Sequence, residues 1–291
     1  MATHADSSQQ TRLGLIAGAG AFPELVAQGA RKAGRGLVII GLREAAEDSL
    51  RPAADVFVRA GIVQLGRWIR VFRRHGVREV VMAGRVDKTR MLALPWWRQW
   101  LAYRPDVTSL RVWYFGVRDR RNDTLLRAVA DEMSRRGLEL IDSTRYCPEA
   151  MAPEGVLTAR QPTAAQQADV ELGWHVAKEM GRLDIGQSVA VKDKDVIAVE
   201  AIEGTDRMIE RAGALCPSGG WTLVKAAKPN QDMRFDVPTV GPDTIDHLGQ
   251  HGATVLVIEA GKTLMIEREE MIRRADRSGI SIVSRRDAVG S

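Results

Sequence analysis

Short apolar runs alternate with segments of helical spacing along the first half of the chain. Apolar runs at residues 13–17, 37–42, 54–58, 79–83 and 138–142 predict buried strands. The segments 24–33, 63–75 and 123–133 space their apolar residues as one face of a helix does. This alternation predicts an α/β domain over residues 12–142, in which helices cover both faces of a parallel sheet.

The alternation lapses over residues 143–167, where Pro148, Pro153 and Pro162 fall. We therefore place a linker there. The remainder, residues 168–285, has a different order of elements and predicts a distinct α+β domain. Helices are expected at 169–180, from 205, at 243–250 and at 268–277, with hairpins over 188–201 and 254–266 and a last strand at 280–283.

The most unusual stretch of the second half runs from residue 225 to residue 241. It sets three cations, Lys225, Lys228 and Arg234, among two carboxylates, Asp232 and Asp236. Such a segment cannot be buried as a whole, because isolated charges in an apolar interior are costly. Cations beside acids suit phosphate chemistry, in which a carboxylate holds a divalent ion or orients water. A solvated connector with surface ion pairs is the alternative.

A second candidate site follows the first predicted strand. Gly18 and Gly20 place backbone N–H groups near the start of a helix, which favours an anion or nucleotide. The dinucleotide fingerprint is incomplete, because Pro23 takes the place of its third glycine and no acid suited to a ribose follows Leu42. A phosphate or nucleotide ligand and a tight turn without a ligand both stay open, and a nicotinamide cofactor is disfavoured.

Three carboxylates, Glu200, Glu203 and Asp206, gather where a predicted strand meets a helix. Their oxygens could help to build a Mg²⁺ site. The helix dipole alone would also favour Asp206 in a first turn. His247 and His251 share helical spacing but have no third ligand nearby in the sequence, so exposed or capping roles are favoured.

Residues 95–115 contain four tryptophans, at positions 96, 97, 100 and 113, interspersed with arginines. Aromatic rings beside cations suit a membrane headgroup region or a lipid-lined cleft. A core flap or a subunit interface explains them equally well.

Composition and charge limit the binding partners and the cellular compartment that fit this chain. The 291 residues are 45% apolar and carry a net charge of +5, from 42 basic and 37 acidic residues. No block of like charge or recognisable motif points to nucleic acid. The polar N-terminus has the features of neither a signal nor a transit peptide, and no apolar run approaches the ~20 residues of a spanning helix. Two isolated cysteines, Cys147 and Cys216, fit a reducing cytosol.

Five motifs taken together resemble the LpxI-type UDP-2,3-diacylglucosamine pyrophosphatases. They are Gly-Leu-Ile-Ala-Gly-x-Gly-x-x-Pro at 14–23, Val-Met-Ala-Gly-Arg-Val at 81–86, Asp-x-Leu-Leu-Arg at 123–127, Val-Glu-Ala-Ile-Glu-Gly-Thr-Asp at 199–206, and Lys-Pro-x-Gln-Asp-Met-Arg-Phe-Asp-Val-Pro-Thr-Val-Gly at 228–241. Each motif is weak alone, but five in order are specific. The resemblance runs from about residue 13 to residue 283.

The resemblance implies a Rossmann-like N-terminal domain and a distinct C-terminal catalytic domain. It implies metal-dependent hydrolysis, typically with Mg²⁺, of UDP-2,3-diacylglucosamine to 2,3-diacylglucosamine 1-phosphate and UMP, in lipid A synthesis of a Gram-negative bacterium. It further implies a cytoplasmic homodimer with peripheral contact at the inner membrane. The essential aspartate of the family corresponds to Asp236.

From these residues we assign candidate roles. Asp236 is the catalytic candidate, Lys225, Lys228, Arg234, Gly18 and Gly20 are candidates for substrate binding, and Asp236, Asp206 and Glu203 are candidates for metal binding. The motifs of metallophosphoesterases that cleave the same substrate, G-D-x-H and G-N-H, do not occur here. A non-catalytic nucleotide-binding or regulatory protein is the rival interpretation.

Overall fold

The computed structural model describes residues 11–43, 45–46, 48–86, 105–113, 122–229 and 231–287. The chain divides into two compact units. The first comprises Met1–Cys147 and Met233–Phe235, and the second comprises Pro148–Asp232 and Asp236–Ser291. Most of the Trp-rich stretch lies outside the described residues, so the prediction for its role in lipid contact remains a prediction.

The first unit is built around a parallel sheet. Its strands are β1 (Arg12–Ala17), β2 (Gly36–Leu42), β3 (Val56–Ala60), β4 (Glu79–Ala83) and β5 (Glu139–Leu140). Its described helices are α1 (Phe22–Lys32), α2 (Leu65–Arg74), α3 (Val107–Arg111) and α4 (Asn122–Arg135). The strand order is β3-β2-β1-β4-β5, and every pairing is parallel. This is the order of a Rossmann fold, and the predicted fold of this half is confirmed.

Burial explains why the strands of this half were visible in the sequence. Every residue of β2 is buried, and all of β1 except Arg12 is buried. A parallel sheet covered on both faces needs continuous apolar strands, which stand out against the amphipathic helices between them.

Glu79, at the start of β4, gives this unit a pH-dependent contact. Its carboxylate lies 2.6 Å from Arg35 Nη2 and 3.1 Å from Arg145 Nη1. Burial alone would raise the pKa of Glu79, but the two guanidinium groups outweigh burial and bring the pKa below its ordinary value of 4.5. A lowered folded-state pKa stabilises the fold above the unfolded pKa, and this contribution is lost as the pH falls through the folded pKa.

We therefore expect Glu79→Gln to lower the Tm at neutral pH, and the deficit to shrink as the pH falls below about 4. Thermal unfolding of both proteins across this range measures the difference. A deficit that stays constant with pH would show that the charge of Glu79 is not what stabilises the unit.

The second unit contains a six-stranded mixed sheet and a separate two-stranded one. Its strands are β6 (Gly155–Val156), β7 (Ser188–Lys192), β8 (Asp195–Val199), β9 (Trp221–Lys225), β10 (Thr239–Val240), β11 (Ala253–Glu259), β12 (Leu264–Met265) and β13 (Ser281–Arg285). Its helices are α5 (Ala164–Arg182), α6 (Thr205–Leu215), α7 (Pro242–Gln250) and α8 (Arg268–Ser278). The main sheet has the order β6-β13-β11-β9-β7-β8, in which β9, β11 and β13 are parallel and the others antiparallel.

Alternate residues of β9 are buried in two different apolar clusters, one on each face of the sheet. Trp221 and Leu223 pack with apolar residues of α6, α7 and α8. Val224 packs with apolar residues of α5. Helices thus cover both faces of the sheet. Polar functional groups are therefore expected at the strand ends and in the loops that follow them.

One expectation for this half was wrong, and another region contains a strand that was not predicted. The hairpin expected over 254–266 does not form, because β11 pairs with β9 and β13 while β12 pairs with β10 in a small parallel ladder. The linker expected over 143–167 includes β6, which pairs with β13 at the edge of the main sheet. In both places the partner strand is distant in sequence, so local spacing carries no information about the pairing.

Candidate active site

The carboxyl ends of the parallel strands β9, β11 and β13 lie at one edge of the second unit's sheet. Lys225 ends β9 and Glu259 ends β11, and the register sets Ile258 of β11 beside Lys225. The loop from Ala226 to Pro238 starts at this edge and carries Lys228, Arg234 and Asp236 of the predicted site. Ligands of open α/β sheets commonly bind at such strand ends.

Glu259 fixes the beginning of this loop. Its side chain is buried, and Oε2 accepts hydrogen bonds from Lys178 Nζ at 2.7 Å and from the backbone N–H of Ala227 at 2.9 Å. Its Oε1 forms an ion pair with Lys262 Nζ at 2.8 Å. A buried carboxylate satisfied on both oxygens is a rigid anchor, because each partner would be costly to leave unpaired.

Lys225 is also buried, with a relative exposure of 9%, and it belongs to a polar cluster. Its Nζ donates to Thr205 Oγ1 at 3.2 Å, and Thr205 Oγ1 donates to Glu200 Oε1 at 3.1 Å. Ser188 Oγ lies 3.4 Å from the same threonine oxygen. Glu200, one of the three carboxylates that the sequence places here, is therefore connected to Lys225 through Thr205.

Lys228 lies further along the loop and is held at both its backbone and its side chain. Its Nζ forms an ion pair with Asp184 at 2.6 Å, and its backbone N–H donates to Gln231 Oε1 at 3.0 Å. Gly181, near the end of α5, leaves room for this segment, since an added Cβ would lie 3.2 Å from the Cα of Lys228.

Asp236 is exposed, unlike the anchoring carboxylate of Glu259. Its backbone N–H donates to the carbonyl of Asp232 at 3.1 Å, and its carbonyl accepts from Gln231 Nε2 at 2.6 Å. The backbone is thus held by hydrogen bonds, and the residue is exposed. This arrangement suits a group that meets a substrate.

Arg234 lies in the short segment Met233–Phe235, which groups with the first unit. Its guanidinium lies 5.3 Å from the ring centroid of Phe235, and Phe235 packs against the core of that unit. The carbonyl of Met233 accepts hydrogen bonds from the N–H and hydroxyl of Ser143. The predicted cations Lys228 and Arg234 therefore have different contacts.

Two family models cover nearly the whole chain. The LpxI N-terminal domain matches residues 12–150, and the LpxI C-terminal domain matches residues 153–283. The UDP-2,3-diacylglucosamine pyrophosphatase LpxI of Caulobacter vibrioides is 36% identical over 283 residues, which span 94% of this chain and 96% of that protein. The chain belongs to the LpxI family. The resemblance stated from the five motifs is thereby confirmed.

One solved structure has a weak likeness to this chain. A nucleoside-diphosphate-sugar epimerase from Pseudomonas aeruginosa is 17% identical, with 44% of this chain and 49% of that chain covered and a TM-score of 0.25. Nothing about this LpxI-family chain is concluded from a TM-score that low.

The candidate metal ligands of this LpxI-family chain have separate surroundings. Glu203 forms an ion pair with Arg211 at 2.5 Å and accepts from the N–H of Ala201 at 3.1 Å. Its own backbone N–H and then Arg211 lower the pKa of its carboxyl. Asp206 is exposed in the first turn of α6, where the helix dipole already favours it. A metal at Glu203 would compete with these contacts for the carboxylate oxygens.

No group of three metal-ligating side chains occurs among the residues that the structure describes. Asp236, Asp206 and Glu203 are therefore not brought together as one cage. Mg²⁺ commonly keeps several waters and takes one or two carboxylates together with substrate phosphates. The exposed carboxylate of Asp236 fits that mode of binding.

The glycine site of the first unit is partly explained by packing. The N–H of Gly18 donates to the carbonyl of Ala83 at 2.8 Å, and an added Cβ would lie 2.6 Å from the carbonyl oxygen of Arg85. Gly18 is thus needed for close backbone approach. Gly20 has φ +93° with no heavy atom near an added Cβ, just before α1. Its predicted role in substrate binding remains a prediction.

Sequence reasoning missed the residues that hold the loop. Gln231, Glu259, Lys178 and Asp184 all contact it, and only Gln231 stands in a recognised motif. A charged residue at the end of the apolar run 253–259 was the one available signal for Glu259. The histidine pair, with ring centroids 4.8 Å apart, takes no part in this loop: His247 Nε2 lies 3.1 Å from the carbonyl of Asp206.

None of the described helices has the length and apolar character needed to cross a bilayer.

Proposed function

We propose that this chain hydrolyses the diphosphate bond of UDP-2,3-diacylglucosamine, releasing UMP and 2,3-diacylglucosamine 1-phosphate in lipid A biosynthesis. The observation that carries the proposal is an exposed Asp236 on an anchored loop, within a chain that matches the curated pyrophosphatase over 94% of its length. The Caulobacter protein bears this activity in its name.

Water attacks the phosphorus on the sugar side in this proposal. A new P–O bond forms, the bond from that phosphorus to the bridging oxygen breaks, and UMP leaves with the bridging oxygen. Asp236 accepts a hydrogen bond from the attacking water and orients its lone pair towards phosphorus. The positive charges of Lys228 and Arg234 stabilise the phosphoryl oxygens as charge develops on them.

Lys225 has a different task. Because its ammonium is buried and donates to Thr205, we assign it the positive charge at the strand edge that favours an anionic substrate. Gly20 and, less directly, Gly18 are proposed to contact the nucleotide part.

A divalent ion, Mg²⁺ in our proposal, would be held by Asp236 together with substrate oxygens, with Asp206 and Glu203 as further candidates. When bound, it would neutralise the diphosphate and favour departure of UMP.

The cellular setting follows from the substrate. We propose a cytoplasmic homodimer with peripheral contact at the inner membrane, where a diacylated sugar nucleotide resides. Light scattering and flotation with vesicles would measure the two associations separately.

The proposal is tested by incubating the protein with UDP-2,3-diacylglucosamine and Mg²⁺, with and without EDTA. We expect UMP release with Mg²⁺ and its loss with EDTA, because the diphosphate charge is then no longer neutralised. Binding of the substrate without UMP release would instead support the rival, a non-catalytic nucleotide-binding protein. Release that EDTA leaves unchanged would contradict the metal requirement.

A further inference from the structure

Gln231 connects two positions of the candidate site through the backbone. Its Oε1 accepts from the N–H of Lys228 at 3.0 Å, and its Nε2 donates to the carbonyl of Asp236 at 2.6 Å. Its own N–H donates to the carbonyl of Lys228 at 3.0 Å. One side chain thus links the backbone of a residue proposed to bind phosphate to the backbone of the residue proposed to be catalytic.

At neutral pH the amide of Gln231 matches this pair of contacts. The N–H of Lys228 needs an acceptor and the carbonyl of Asp236 needs a donor, and a glutamine offers one of each at the end of a single side chain. An ionised glutamate would present an acceptor to both and oppose the carbonyl of Asp236. A leucine of similar size would offer neither.

The Lys228 end of this bridge is the anchored end. Lys228 Nζ is paired with Asp184 at 2.6 Å, and the preceding residue, Ala227, donates its N–H to the buried carboxylate of Glu259 at 2.9 Å. The Asp236 end carries an exposed side chain. The bridge therefore ties the backbone of Asp236 to this anchored segment.

We propose that Gln231 is a positioning residue, which holds the backbone of Asp236 in register with Lys228. This rests on the proposed function, because it assigns Gln231 a purpose only if Asp236 acts on the substrate. Gln231 does not itself touch the reacting atoms. It sets the separation between the carboxylate and the cation, and a displacement of about 1 Å at a reacting group can cost on the order of 100-fold in rate.

Two variants of nearly the same size test the proposal. Gln231→Leu removes both contacts, and Gln231→Glu removes the donor. We expect kcat for UMP release to fall by roughly 10- to 100-fold in both, with KM and Tm near those of the wild type. Gln250→Glu is the matched control, because Gln250 lies exposed at the end of α7 and should leave kcat unchanged.

The pH profile separates positioning from simple filling of space. When the carboxyl of Gln231→Glu is protonated, its O–H donates to the carbonyl of Asp236 while its C=O accepts from Lys228, as the amide does. The ratio of its kcat to that of the wild type should therefore rise as the pH is lowered. The same ratio for Gln231→Leu should stay flat.

The possible outcomes decide between the claims. Wild-type kcat in both variants would overturn the role of Gln231 while leaving the proposed function intact, and so would a fall in Tm accompanied by pH-independent ratios for both. Absence of UMP release by the wild type would contradict the proposed function itself. Hydrogen exchange then still tests the bridge: peptides within 232–240 should exchange faster in Gln231→Leu than in the wild type, and equal exchange overturns it.

Discussion

Asp236→Ala should lower the rate of UMP release by about 10²- to 10⁴-fold, the range typical of losing a group that activates or orients a nucleophile. The side chain is exposed, and the contacts that hold its backbone, from Gln231 and to Asp232, do not involve the carboxylate. Because contacts of an exposed side chain are weak, the free energy of unfolding should change by no more than about 1 kcal/mol. Steady-state UMP release and thermal unfolding measure the two effects.

An exposed aspartate elsewhere in the same unit supplies the control for this experiment. Asp195, at the start of β8, is exposed, and Asp195→Ala should keep the wild-type rate. Asp236→Asn removes the charge while preserving size, and should be nearly as slow as Asp236→Ala. Turnover close to that of the wild type in either Asp236 variant would exclude the proposed role.

The largest expected loss of stability is at Glu259. Glu259→Ala leaves the ammonium of Lys178, whose side chain is 15% exposed, without its buried partner, and leaves the N–H of Ala227 without an acceptor. Breaking a buried pair on one side costs about 3–5 kcal/mol. Because Lys178 keeps Asp287 at 2.7 Å, we expect a value of about 3 kcal/mol. Urea denaturation measures it as a shift of the midpoint.

Glu171→Ala is the matched control, since Glu171 pairs with Arg285 at 2.8 Å with its side chain 59% exposed. An exposed pair contributes about 1 kcal/mol or less. Equal midpoints for the Glu259 and Glu171 variants would mean that burial gives Glu259 no special weight. UMP release by Glu259→Ala should also fall, because the anchor of the loop is lost.

The sequence predicts a strand or turn of this fold best where the pattern that defines it lies within the element itself. The strand β2 is seven consecutive buried residues, and a run of that kind has few alternatives. The hairpin predicted over 188–201 is also local, and it forms: β7 pairs antiparallel with β8, and Asp193 and Lys194 in the turn between them adopt positive φ. In contrast, β6 and β12 are two residues long and are defined only by distant partners.

The same limit applies to the site. Charge spacing drew attention to Lys225, Lys228 and Asp236, because cations and acids crowd one loop. It could not pair Lys178 with Glu259, which lie 81 residues apart in the chain. Nor could it show that Lys225 is buried, since burial at a strand end depends on the fold around it.

The most direct test of the proposed reaction is mass spectrometry of the products after turnover in ¹⁸O-labelled water. Attack of water on the phosphorus of the sugar side predicts one ¹⁸O in 2,3-diacylglucosamine 1-phosphate and none in UMP. Label in UMP would contradict the proposed direction of attack, and the absence of both products would contradict the hydrolysis itself.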